Sequence, residues 1–279
     1  MKYRYINFLL FVLSVTSCAV HNSLEISTDM IIQGEYCANS GLGGQVLQLK
    51  SDSTYEYSTF SDMLVQGTKN PVYKGSYHLD GGQITLLPDD ADSTFQQHYY
   101  YVQWGEFDLL IEKSKIIDFC NNFNSGWLQQ ENPMLDIPIV ASTYLSKTVQ
   151  PETPLRQEMP IVPASFENYI LDTPLFGRVV QIDTTNCTLN IENTSNHQLL
   201  GGMELFLESG KIMTSFIVLE SDKNHCTVVE KTIHSFKDLP NYPELNELTP
   251  FSEMKSGAKL AMKEIVPGDV VTTRRIWQK

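Results

Sequence analysis

Short runs of Val, Ile, Leu, Thr and Tyr, separated by Gly and Asp, recur along this 279-residue chain. One example is the turn Asp80-Gly81-Gly82, which leads into the apolar run Ile84–Leu87. Glycine supplies the positive φ that tight hairpin turns need, so such segments indicate paired antiparallel strands. The glycines of residues 41–44 lack the Lys-Ser/Thr end of a phosphate loop and indicate another hairpin. The pattern predicts a mainly β protein.

One segment has helical rather than strand spacing. Between Ile116 and Phe123 the apolar residues recur at intervals of three and four, as on one face of a helix. Ser114 is a candidate N-cap and Gly126 a candidate stop. The sequence therefore predicts one short amphipathic helix near residues 114–125.

Proline divides the chain into two β-rich parts. Seven of the 13 prolines lie in residues 129–176, a composition typical of an extended connector. We therefore expect two small, barrel-like antiparallel β domains, over residues 30–128 and 177–279, joined by this connector. In the second part Leu189 and Ile191 alternate with polar neighbours, which indicates a half-buried strand.

The first eighteen residues have the layout of a secretory signal. Lys2 and Arg4 precede a short apolar run, and Val15-Thr16-Ser17 leads into Cys18. The apolar run is too short for a permanent transmembrane helix. A plain secretory cut near Cys18, or an uncleaved anchor, remains an alternative.

This ending resembles the lipobox of bacterial lipoproteins. The resemblance implies a signal peptide over residues 1–17, fatty acyl groups such as palmitate on Cys18, and a lipid-anchored tether over residues 18–29. Two or more acyl chains hold a protein stably on a membrane. Lipoproteins retained in the inner membrane usually carry Asp after the cysteine, whereas Ala19 follows it here. The resemblance thus implies a place in the cell envelope, at the outer membrane.

Three further likenesses concern the folded body. The Gly-x-Tyr, turn and apolar-strand layout resembles small antiparallel barrels of some envelope lipoproteins. Residues 99–126, with Trp104-Gly105 and a Phe-Cys-Asn helix, resemble a segment of uncharacterised bacterial proteins, although Phe107 and Leu109 replace its usual Arg and Tyr. The part that begins Gly177-Arg178-Val179 resembles SH3-like envelope barrels, which implies contact and assembly rather than catalysis.

The formal net charge of −13 restricts the partners. Phosphate backbones and anionic headgroups repel such a chain, so we expect no nucleic-acid partner and membrane contact only through lipid on Cys18.

The four remaining cysteines, Cys37, Cys120, Cys187 and Cys226, allow three disulfide connectivities. The simplest pairs Cys37 with Cys120 and Cys187 with Cys226; the alternative is four buried thiols.

No segment carries a catalytic, metal or cofactor motif. His225 beside Cys226 would point to the opposite face of a strand, which argues against a dyad. Tyr99, Tyr101 and Trp104 are candidates for a ligand or contact surface. We therefore expect a non-catalytic interaction or assembly module with an envelope protein partner. The alternatives are a small-ligand-binding barrel, and an enzyme with a site assembled from scattered residues.

Overall fold

The computed structural model describes residues 32–39, 41, 43–61, 71–90, 97–132, 135–147, 158–207, 214–231 and 262–275. The predicted signal peptide (1–17), the tether (18–29) and Cys18 lie outside the described residues. The described residues form two closed antiparallel barrels with a short helix between them, which confirms the predicted fold class.

The first seven strands of the first barrel follow one another as hairpins. They are β1 (Gly34–Asn39), β2 (Gly43–Leu49), β3 (Thr54–Ser61), β4 (Val72–Asp80), β5 (Gln83–Pro88), β6 (Gln97–Trp104) and β7 (Phe107–Glu112). Each pairs with the next in antiparallel register, as the turn residues predict.

An eighth strand closes this barrel from within the predicted connector. After β7 come α1 (Ile116–Asn124), the small hairpin β8 (Glu131–Asn132) and β9 (Ile137–Pro138), α2 (Ile139–Thr143) and β10 (Leu145–Ser146). The two residues of β10 pair with β7 on one side and with β1 on the other. The first barrel therefore extends beyond residue 128, the boundary that proline density predicts.

The barrel interior is aromatic. Alternate residues of each strand face inward, and the enclosed cluster contains the fully or almost fully buried rings of Tyr36, Tyr55, Tyr57, Tyr99 and Tyr101. Leucines and isoleucines fill the space between these rings. Side chains rather than a wide channel thus occupy the centre, as is usual for an eight-stranded barrel.

Helix α1 packs on the outside of this barrel and ends in a Schellman motif. Gly126 has φ +81°, its N–H donates to the Phe123 carbonyl, and the Trp127 N–H donates to the Asn122 carbonyl. Gly126 therefore stops the helix as predicted. Ser114 is not its N-cap, because residues 113–115 form a 3-10 turn and Lys115 directly precedes the helix.

The second barrel has six strands. They are β11 (Phe176–Asp183), β12 (Thr188–Asn193), β13 (Glu204–Leu207), β14 (Ser215–Ser221), β15 (His225–Glu230) and β16 (Val270–Thr272). Around the barrel they run β11, β12, β15, β14, β13, β16 and back to β11. The short β16 inserts between β11 and β13 and closes the barrel, and the turn Pro267-Gly268-Asp269 leads into it. Likeness to SH3-like barrels remains a prediction.

One buried side chain joins the two barrels. Asn121 of α1 is 5% exposed; its Nδ2 donates to the Gly202 carbonyl (2.9 Å) and its Oδ1 accepts from the Glu204 N–H (3.0 Å). The hydroxyl of Tyr169 also donates to the Gly201 carbonyl, at 2.9 Å. The Asn121 bonds hold the helix, and the Tyr169 bond holds the connector, against the turn that precedes β13.

Candidate functional site between the barrels

A cleft of about 910 Å³ opens where the first barrel, α1, the connector and the chain after β16 meet. Trp104, Phe123, Met159, Leu171 and Pro174 provide its apolar wall. Its polar lining is Asn124, Gln129, Glu158, Asp172, Thr273 and Arg274. Its volume falls at the upper end of the range for ligand pockets, but its mixed lining differs from the mainly apolar walls of most small-molecule sites.

Trp104 forms the floor because of its position on β6. It lies at the end of that strand on the outer face, where Phe123 of α1 packs edge-on against it at 5.2 Å between ring centroids. Its indole N–H donates to the Glu158 carbonyl at 2.7 Å. This bond holds the connector, 54 residues further along the chain, at the edge of the cleft.

The connector also pairs with the end of β6. Gln103 and Ile161 exchange two backbone hydrogen bonds, at 3.2 and 2.7 Å, where β5 no longer accompanies β6. Val162 is buried in the cluster beneath, whereas Met159 and Ile161 are exposed. The connector is therefore a strap that covers a strand edge and presents apolar side chains beside the cleft.

The opposite side of the cleft is fixed by Asn124. Its Nδ2 donates to the Tyr169 carbonyl (2.8 Å), and its Oδ1 accepts from the Leu171 N–H (3.0 Å). These bonds use both the donor and the acceptor of the amide. Asn124 therefore holds residues 169–171 in place at this side of the cleft. The charged residues of the lining are Glu158, Asp172 and Arg274, so carboxylates outnumber cations.

The three predicted surface residues do not form one surface. Tyr99 and Tyr101 are 1% and 6% exposed and face the barrel interior, whereas Trp104 faces outward beneath α1. Burial raises the pKa of both tyrosines well above the ordinary value, and Asp108 adds to the effect at Tyr101. Alternate residues of a strand face opposite sides, and Trp104 is an odd number of residues from both tyrosines on β6. Only Trp104 therefore faces outward and contributes to the cleft.

The predicted disulfide pairs are not formed, since none of the four described cysteines takes part in a disulfide. In the second barrel Cys187 lies opposite Glu230 and Cys226 opposite Ile191. Cys226 therefore lies four residues along the ladder from the position opposite Cys187, a distance of about 13 Å. A disulfide permits only roughly 7 Å between Cα atoms.

The first-barrel pair is separated in a different way. Cys37 is on β1, half-exposed, whereas Cys120 is fully buried in α1 against β6 and β7. The alternative prediction of buried thiols holds for Cys120, Cys187 and Cys226, and Cys37 is the exception. Burial raises the pKa of Cys120 and of Cys226 to about 12 in each case.

The structure also places the His225–Cys226 pair and shows what the described residues offer a metal ion or a membrane. His225 is exposed while Cys226 is buried, so the two side chains take opposite faces of β15. Over the described ranges, no group of three or more His, Cys, Asp or Glu is arranged to hold a metal ion. Among the helices of those ranges, none has the length and hydropathy needed to span a bilayer.

Sequence reasoning missed the residues that assemble the cleft. Asn121 and Asn124 gave only a weak signal, as polar residues of an otherwise apolar helix. Glu158 and Asp172 carried none, since both lie in a proline-rich stretch without periodic spacing. The chain matches no protein-family model, no curated protein and no solved structure.

Proposed function

We propose that this chain is an envelope lipoprotein, lipid-anchored at Cys18, whose two-barrel body is a non-catalytic interaction module. The observation that carries the proposal is the contrast between packed interiors and an open cleft between the barrels. Core side chains occupy both interiors, so the surface available to a partner is on the outside. The cleft is lined by the end of β6, the helix, the connector and the chain after β16.

The lining favours an extended segment of a partner protein over a compact apolar ligand. Trp104 and Met159 offer apolar contact, and aromatic residues and Met are frequent at protein interfaces. Glu158 and Asp172 together with the net charge of −13 favour a segment that carries Lys or Arg. The anchor would hold this cleft near the membrane where such a partner is found.

The anchor and the interaction have separate tests. For the anchor, cells that express the wild type or Cys18→Ala are fed a labelled fatty acid and fractionated. We expect label and membrane association only with the wild type. A Cys18→Ala protein that is still labelled would refute lipidation at this residue.

The interaction is tested by charge reversal in the cleft. The wild type, Asp172→Lys and the matched control Glu220→Lys are crosslinked in cells, extracted in detergent and analysed by mass spectrometry. Glu220 is an exposed carboxylate on β14, away from the cleft. We expect one protein partner with the wild type and the control, and its loss with Asp172→Lys. Equal recovery from all three would refute the cleft as the binding face.

A further inference from the structure

A row of polar side chains crosses four strands on the outer face of the second barrel. Gln181 of β11 lies opposite Asn190 of β12, which lies opposite Thr227 of β15. Glu220 of β14 lies opposite Thr227 on its other side and ends the row. Residues directly opposite each other in a ladder share one face of the sheet. These four side chains, the polar row, therefore form one line that is about 14 Å long at the usual strand spacing.

Both ends of the polar row depend on a β-bulge. In β11 the extra residue Val180 interrupts the pairing just before Gln181. In β14 the extra residue Leu219 does so just before Glu220. The residue before each bulge faces the core, so strict alternation would turn Gln181 and Glu220 inward as well. The bulges instead bring both polar side chains to the outer face, and bulges that re-aim a side chain are frequent next to functional sites.

Hydrogen bonds hold the middle of the row in place. Asn190 Nδ2 donates to Gln181 Oε1 at 3.0 Å, and the Thr227 hydroxyl donates to Asn190 Oδ1 at 3.2 Å. An amide nitrogen carries two N–H groups and each oxygen has two lone pairs, so these bonds leave hydrogen-bonding capacity for a ligand. The row therefore presents donors and acceptors in fixed positions.

An open cavity of about 440 Å³ lies over the row and is lined by its last three members. Val180, which is 44% exposed, adds an apolar wall on the β11 side. Asp222 and His225 lie at the turn between β14 and β15, where Asp222 Oδ1 accepts from the N–H groups of Asn224 (2.7 Å) and His225 (2.8 Å). The volume is within the range of small-ligand pockets.

The chemistry of the lining restricts the ligand. The described lining carries the carboxylates of Glu220 and Asp222 and no Lys or Arg, which disfavours phosphates and other anions. Six of the eight described lining residues are polar, which disfavours a wholly apolar compound. A hydroxyl group donates one hydrogen bond and accepts two, so a ligand rich in hydroxyls matches a row that offers both amide donors and carboxylate acceptors.

We propose that the outer face of the second barrel binds a neutral oligosaccharide along the polar row. The Gln181 and Asn190 amides donate to sugar hydroxyls at one end, and the Glu220 carboxylate accepts from sugar hydroxyls at the other. Val180 contacts the C–H groups of a sugar ring. Because the row is longer than one sugar ring, the ligand is a short chain of linked sugars. This site and the cleft between the barrels share no described lining residue, so the two proposals stand separately.

The first test is a footprint of the unmodified protein. The full-length chain, extracted in a detergent without a sugar headgroup, is exposed to hydroxyl radicals with and without maltotriose, cellotriose, mannotriose or triacetylchitotriose. Peptide mapping compares oxidation of His225, at the cavity, with that of His78, an exposed histidine on β4 of the first barrel that corrects for radicals consumed by the sugar. We expect one or more of these sugars to slow oxidation of His225 relative to His78 by about twofold at half occupancy. No relative protection by any of them would overturn the proposal.

Variants then locate the binding face. Asn190→Ala removes the centre of the polar row, and the matched control Gln48→Ala removes an exposed amide on β2 of the first barrel. Calorimetric titration with the protecting sugar should show binding weakened about five- to tenfold in Asn190→Ala and unchanged in Gln48→Ala. Equal affinity in Asn190→Ala and the wild type would overturn the polar row as the binding site. Because the footprint uses the wild type, a variant that fails to fold leaves the proposal open to refutation.

Discussion

Replacing Asn121 by alanine should weaken the junction between the barrels more than any exposed asparagine would. The side chain donates to Gly202 O and accepts from Glu204 N, both across the interface. Asn121→Ala removes these two bonds and leaves the Glu204 N–H buried without its partner. The environment of that N–H is dry, because Asn121 and Glu204 are 5% and 6% exposed.

The size of the effect follows from the groups left behind. A lost intramolecular hydrogen bond costs about 0.5–1.5 kcal/mol, and a buried donor without a partner costs about 1–3 kcal/mol. Asn121→Ala removes two hydrogen bonds, and one of them leaves a buried N–H without a partner. We therefore expect the free energy of unfolding to fall by about 2–3 kcal/mol. Asn190→Ala is the matched control, since Asn190 bonds Gln181 and Thr227 on the exposed face of the second barrel. Its expected cost is about 0.5 kcal/mol.

Urea denaturation followed by circular dichroism measures both variants against the wild type. A loss of stability with Asn121→Ala no greater than that with Asn190→Ala would refute the expected cost, because the interface bonds would then contribute nothing measurable. A changed m-value with Asn121→Ala, and not with the control, would show that the variant also changes the surface exposed on unfolding.

Three other predictions concern single groups. Gly126→Ala should lower the free energy of unfolding by about 1 kcal/mol, because the backbone at the end of α1 is left-handed. Gly201→Ala should lower it less, because Gly201 has no positive φ and a Cβ there would lie 3.5 Å from its nearest atom. Thermal melts compare the two variants. Iodoacetamide at pH 8 should label half-exposed Cys37 before buried Cys120, as read by mass spectrometry, and the reverse order would contradict the burial of Cys120. Since burial raises the pKa of Cys120 and Cys226 to about 12, the folded chain retains protons that the unfolded chain loses above about pH 9; the free energy of unfolding should therefore fall as the pH rises from 9 to 11, and a rise over that range would contradict the sign.

Local rules predict the fold better than they predict its closure. Glycine and aspartate turns locate the hairpins from β1 to β7, and Gly126 locates the end of α1. They do not reveal β10, whose two residues become a strand only because β7 and β1 present free edges on either side. Such a short strand has no pattern of its own in the sequence.

The cleft lies beyond local rules for a related reason. Its floor depends on Trp104 meeting Glu158, a contact between residues 54 positions apart. Strand parity does separate Trp104 from Tyr99 and Tyr101, because odd and even positions of β6 face opposite sides. Parity cannot say which helix or strap covers the outer face. The prediction of disulfide pairs is wrong for a similar reason. The ladder register that separates Cys187 from Cys226 is a property of the folded sheet.

Site-specific photocrosslinking in cells tests the proposed interaction most directly. A photoreactive amino acid replaces Met159 at the cleft, and in a matched variant it replaces Leu87, an exposed apolar residue on the outer face of β5. We expect one protein partner captured from position 159, none from position 87, and loss of the captured species when Cys18→Ala is added. Capture of the same protein from both positions, or no capture from position 159, would contradict the cleft as the contact surface of an anchored module.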